Sequence, residues 1–184
     1  MAAHDIDIAH SEIGFTVRHM MFAKVRGQFK KWNAALSYDP ADPSRSKLEV
    51  EIDAASIDTR ESQRDAHLRS PDFFDTEKFP TMTFKSKRIE PTGAGRYRVV
   101  GDLTLRGTTQ EFVLDVEQTG SGKDPWGNSR LGFSAKGSLS RSRWGLVWNQ
   151  VLEAGAVLVS DEVQIEVEAQ VVVARPTAGA SATA

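Results

Sequence analysis

Between Glu162 and Val173 an apolar residue stands at every second position: Val163, Ile165, Val167, Ala169, Val171 and Val173 alternate with Glu162, Gln164, Glu166, Glu168 and Gln170. Successive side chains of an extended chain point to opposite faces, so a period of two held this long predicts a strand with one wet and one dry face. The pattern recurs along the chain. Leu48, Val50, Ile52 and Ala54 alternate with Lys47, Glu49, Glu51 and Asp53, the mark of a sheet solvated on one side. Tyr97, Val99, Gly101, Leu103 and Leu105 repeat it, as do Phe112, Leu114 and Val116, then Leu131, Phe133, Ala135 and Leu139. Near the N-terminus Ile6 and Ile8 are followed by Ile13, Phe15 and Val17, with His19 on the same face. Val25, Gly27 and Phe29 lead to Trp32, Ala34, Leu36 and Tyr38, but the phase slips by one residue between Phe29 and Trp32. A β-bulge absorbs such a slip and bends the strand, and Gly27 is placed to help the bend.

The stripes are separated by turn chemistry: Asp39-Pro40-Ala41-Asp42-Pro43-Ser44, Gly93-Ala94-Gly95 and Arg106-Gly107-Thr108-Thr109. About eight strands joined this way suit an antiparallel up-and-down barrel, which removes exposed edges by closing and at this size has room for one small ligand. A β-sandwich of the same strands is the structural alternative.

One stretch breaks the alternation. Residues 56–74 read as helical, inserted between the third and fourth strands, with Asp58 and Glu61 marking one start and Ser70-Pro71 a second. On the first helix Arg60, Arg64 and His67 share a face, and an Asp65–Arg69 pair would pin it. Phe73, Phe74 and Phe79 must pack on something, and are expected to seal one end of the core.

Composition excludes several functions. The 184 residues suit one domain, 1–174, followed by a tail at 175–184 too poor in large apolar residues to pack, read as disordered. There is no cysteine, so disulfides and thiolate metal sites are out. A net charge of -2 offers no field for nucleic acid. No run approaches the ~18 apolar residues of a membrane-spanning helix. Residues 1–10 lack the pattern of a secretory signal, so the chain as written is expected in the cytoplasm, and in the periplasm if a signal has been removed.

His19, Asp65 and His67, with Arg64, would in principle supply acid–base groups or a histidine–carboxylate metal site. No H-E-x-x-H, G-x-S-x-G or phosphate-cradling glycine loop accompanies them. No catalytic residue, cofactor or metal is assigned. A hydrolase or metal-dependent enzyme, and a packed-core interaction domain, remain the alternatives to a binding protein.

A set of motifs in fixed order bears on that choice. They are His10-Ser11-Glu12-Ile13-Gly14-Phe15-Thr16-Val17-Arg18-His19-Met20, Val25-Arg26-Gly27-Gln28-Phe29, Ser56-Ile57-Asp58-Thr59, Arg64-Asp65-Ala66-His67-Leu68, Asp72-Phe73-Phe74-Asp75, Phe79-Pro80, Gly101-Asp102-Leu103-Thr104-Leu105-Arg106-Gly107 and Ser140-Arg141-Ser142-Arg143-Trp144-Gly145-Leu146. Together they resemble the YceI-like family of bacterial proteins across nearly the whole domain. The resemblance implies a lipocalin-like eight-stranded barrel whose apolar cavity binds a polyisoprenoid or similar long-chain amphiphilic lipid, commonly as a homodimer. It implies binding rather than catalysis. Phe15, Val17, Phe29, Phe84, Leu103, Leu105 and Phe133 would line the tunnel, Phe73, Phe74 and Trp144 would shape its mouth, and His19, Arg64 and His67 would fix the lid or meet a polar head group. Many relatives work in the periplasm.

Overall fold

The computed structural model describes residues 3–39 and 41–173; the tail read at 175–184 lies outside them. In chain order the strands are β1 (Ala3–Ile6), β2 (Glu12–His19), β3 (Ala23–Phe29), β4 (Trp32–Ser37), β5 (Lys47–Asp53), β6 (Ile57–Asp58), β7 (Thr81–Gly93), β8 (Arg96–Leu105), β9 (Thr108–Lys123), β10 (Ser129–Ser140) and β11 (Val159–Val172). One helix, α1 (Ser62–Arg69), follows β6. The strands form one sheet in the order β1-β4-β5-β7-β8-β9-β10-β11-β2-β3-β6, and β1 also pairs with β11. That last pairing closes the sheet into an antiparallel barrel.

The barrel has eight staves because three of them are broken. Both β1 and β2 lie along the same edge of β11, at Val171–Val172 and at Val159–Glu168. Likewise β3 bridges β2 to β6 while β4 bridges β1 to β5. The first break is a 3-10 turn, Ile8–His10, held by Ser11, whose hydroxyl donates to Asp7 O at 2.7 Å and accepts from Gln170 N at 3.0 Å. The second falls at the phase slip: Lys30 N donates to Ser56 O at 3.1 Å and Lys31 N to Ser56 Oγ at 3.0 Å. These two residues bend away from the ladder and let Phe29 and Trp32 both face inward. The third stave is interrupted by the 3-10 turn Ala54–Ser56.

Two expectations are corrected. The helix lies after the sixth strand, not the third, since polar residues at the breaks divide runs whose alternation looks continuous. And there is one helix rather than two among the described residues. Ser70 does not open a second helix. Instead Phe73 N and Asp75 N both donate to Ser70 O at 3.0 Å, Asp75 turns left-handed with φ 48°, and Phe79 N returns to Asp75 O at 2.8 Å. Nor does Asp58 cap α1; it accepts from Arg60 N at 2.8 Å, and Glu61 is the N-cap, its carboxylate taking Gln63 N and Arg64 N.

The registers assign each connection to an end. At one end stand α1 with the turns to Phe79, the β2–β3 hairpin, the Arg106-Gly107 turn and the loop 145–158. This is the helical end. The far end carries the β4–β5 loop and the β7–β8 and β9–β10 hairpins. At the helical end Trp144 is buried, with Nε1 donating to Leu103 O at 2.9 Å. Gly27 does more than bend β3: a Cβ there would stand 2.3 Å from Phe15 Cζ, so the missing side chain is what lets that ring lie across the strand pair.

Candidate functional site

The alternating stripes turn their apolar side inward, and they do not fill the space they enclose. A cavity of about 300 Å³ remains inside the barrel, at the small end of ligand pockets. It is long for its volume. Along β11 alone the lining runs Val159, Val163, Ile165, Val167, Ala169, Val171. That is about 40 Å of strand at about 3.3 Å per residue, or about 30 Å along the axis at a tilt of about 40°. Such a slot suits a single linear chain better than a compact ring system.

Its chemistry changes only toward the ends. At the helical end Arg141 reaches the lining from the start of a 3-10 turn, Arg141–Trp144. It is 6% exposed. Its Nε donates to Ser160 O at 2.9 Å and Nη1 to Leu146 O at 2.6 Å and Trp148 O at 2.9 Å. Burial draws its pKa down from the usual arginine value, and the carboxylate of Asp161 opposes this. The guanidinium sits 5.9 Å from the ring centre of Phe73, and the rings of Phe73, Trp148 and His67 pack on one another at centroid distances of 4.7 to 5.2 Å. At the far end Tyr38, Tyr97 and Ser46 line the slot, with the two phenol oxygens 3.4 Å apart. Burial, then the bond to Tyr97, pushes Tyr38 up to about 12, so this phenol stays neutral at any physiological pH.

Phe15, Val17, Phe29, Phe84, Leu103, Leu105 and Phe133 lie on the cavity wall, and Phe73 and Phe74 close its helical end beside Leu68. The polar candidates lie elsewhere. His19 ends β2, opposite Ala23 and Val159, outside the lining. Arg64 bonds Thr59, Nε to Oγ1 and Nη2 to O, each at 2.7 Å. Asp65 is buried and accepts from Thr59 N at 2.9 Å and Oγ1 at 2.6 Å. Arg69, expected to pair with Asp65, instead donates to Ala55 O at 2.8 Å and Ile57 O at 2.9 Å. His67 meets Asp72 at 2.8 Å on the outer side. Trp144 is core, not mouth. Thus Arg64 and Asp65 converge on Thr59 while His67 turns to Asp72 and His19 stands at the end of β2, so these groups form no common acid–base site, and α1 is fastened to the barrel rim by its charges. Among the described residues no group of three histidines or carboxylates could hold a metal ion. Arg141 and the Tyr38–Tyr97 pair were not singled out in the sequence. Both tyrosines stand on predicted apolar stripes, a usable signal; Arg141 lies within the motif Ser140 to Leu146, but no stripe marks it as facing the cavity.

A closed eight-stave antiparallel barrel with a hollow apolar interior defines the class. The chain belongs to the YceI-like family: the YceI-like domain profile matches residues 4–171. It is 39% identical to a UPF0312 protein of Vibrio cholerae over 158 residues, 86% of this chain and 82% of that one. Among solved structures it superposes on Burkholderia cenocepacia BcnA with a TM-score of 0.80 at 27% identity, covering 90% of this chain and 99% of that one. A polyisoprenoid binding domain from Saccharophagus degradans, described as implicated in plant cell wall breakdown, shares the fold with a TM-score of 0.62 at 15% identity, covering 95% of this chain and 99% of that one.

Proposed function

We propose that this protein binds a long-chain lipid, a polyisoprenoid or similar amphiphile, lengthwise inside the barrel. The observation that carries the reading is the slot itself, apolar along its length with polar groups only at its ends. Burial of hydrocarbon supplies the binding free energy, about 0.8 kcal/mol per methylene taken from water. Orientation falls to the few polar groups at the ends. The polyisoprenoid-binding domain of the same fold supports the choice of chain. Neither Asp65, buried and held by Thr59, nor His67, held by Asp72, lines the slot, which favours a carrier over an acid–base enzyme.

Titration with a homologous series of fluorescent alkyl and prenyl chains tests this. Affinity should rise about fourfold per methylene, following the 0.8 kcal/mol above, and level off once the chain exceeds the slot. Ala135→Trp, which places a large ring on the wall between Val116 and Val167, should stay folded and lose the long chains. Affinity independent of chain length, or equal binding by the blocked variant, would refute the proposal.

A further inference from the structure

The helical end of the barrel exposes a rim that the cavity does not explain. The β2–β3 hairpin ends in Met20, Met21 and Phe22, with Met21 62% and Phe22 74% exposed. Met20 and Met21 have φ of 51° and 68°, the left-handed region where glycine or asparagine is at ease and a long side chain is not. Folding alone would select other residues for this turn. Just behind the tip Arg18 and Lys24 stand directly opposite each other, both exposed. Arg18 Nη1 donates to Phe22 O at 3.3 Å, which holds its charge against the apolar tip. Like charges facing across a ladder are unfavourable, and among the described residues neither cation has an ion pair with a carboxylate.

A second apolar element adjoins the tip. Met20 N donates to Leu158 O at 2.8 Å, and Leu158 N to Gln150 O at 2.9 Å, which ties the hairpin to the loop 145–158. That loop carries Glu153 as its single charged residue, and its Val147 and Val151 are exposed, the latter 74%. Leu146 and Val159, at the two ends of the same loop, line the slot.

We propose that this rim is a docking surface for an anionic lipid bilayer, with Met21 and Phe22 entering the acyl boundary and Arg18 and Lys24 at the headgroup level. An apolar tip flanked by cations without ion pairs is complementary to that interface, the tip to its acyl boundary and the cations to its anionic headgroups. The inference rests on the reading of the slot as a lipid site, because it places the bilayer where an apolar chain would enter or leave beside Leu146, Val159 and Phe73.

The test is co-sedimentation of the full chain with vesicles of phosphatidylglycerol and phosphatidylethanolamine, and with phosphatidylcholine vesicles, while bound lipid is measured by extraction from the same preparations. Wild type should partition to the anionic vesicles. Phe22→Asp should weaken this at least tenfold with its melting temperature unchanged. The pair Arg18→Gln and Lys24→Gln should weaken anionic binding about 25-fold, at about fivefold per cation, and leave neutral vesicles unaffected. Equal partitioning of wild type and Phe22→Asp overturns the proposal, as does a change from dimer to monomer in Phe22→Asp, which would make the tip a contact between two copies. Vesicle binding by a protein that extracts and takes up no lipid sustains the docking surface and removes the carrier reading instead.

Discussion

Gly27→Ala is the smallest change that couples the barrel wall to its contents. The new Cβ would lie 2.3 Å from Phe15 Cζ, 2.7 Å from Cε1 and 2.9 Å from Thr59 Cγ2. All are well inside van der Waals contact, so a ring or the backbone must move. Thr59 is held by Asp65 through both its amide and its hydroxyl, whereas Phe15 borders empty space in the slot. The ring therefore swings inward. Overpacking a close-packed site costs about 1–3 kcal/mol, and the adjacent space should keep the empty barrel near the lower bound. With a chain in the slot the ring has nowhere to go. The variant should lose about 1 kcal/mol in urea unfolding and bind a long-chain probe at least tenfold more weakly, with both defects relieved by adding Phe15→Leu. Unchanged binding together with a purely additive double variant would show that Phe15 does not face the ligand space, and the reasoning would fail.

Two further outcomes follow from particular contacts. Trp144→Phe keeps one aromatic ring, leaves a small void where the indole's second ring stood and removes the 2.9 Å bond to Leu103 O; it should cost about 1–3 kcal/mol from the lost bond and the void together, and Trp144→Ala about 3–5 kcal/mol, both read by denaturant midpoint with ligand affinity changed far less. At the far end Asp124 is pushed up by burial, but bonds from Asn128, Arg130 and Trp126 outweigh this and hold it at about 2, and Arg130 and His10 draw Asp7 down as well. A folded pKa below the unfolded value of about 3.9 gives stability that is present above pH ~4 and is lost as pH falls toward ~2. Urea midpoints between pH 2 and 7 should show that acid-side loss reduced in Asp124→Asn, and an identical slope would contradict the assignment.

The cavity wall was legible because its signal is local. On β5, β8 and β11 a period of two fixes which side chains share a face, and closure turns one face inward whatever the rest of the sequence does. The breaks were less visible, since Ser11 and Ser56 act on partners 25 or more residues away in the chain, which no local pattern marks: Gln170 for one, Lys30 and Lys31 for the other. The helix shows the limit most clearly. The expected helical face joins Arg60, Arg64 and His67, yet Arg60 precedes α1 in a left-handed turn with φ 64°, and within the eight helical residues tertiary partners decide, so that the residue buried is Asp65. The pull of Thr59 on both Arg64 and Asp65 fastened the segment to the rim and left the slot to Leu68, Phe73 and Phe74. Arg141 is hidden for a related reason: its acceptors are Leu146 and Trp148, in a loop without period, and Ser160 at the start of β11, none of them marked by a local pattern.

The central claim is that the barrel interior is a lipid site. Organic extraction of the purified protein, with mass spectrometry of the extract and native mass spectrometry of the intact complex, measures this directly. The account predicts close to one long-chain apolar or amphiphilic molecule per barrel, absent from Ala135→Trp prepared in parallel. A wild-type barrel that carries no such molecule, and takes none up when offered polyprenols or fatty chains, would contradict it.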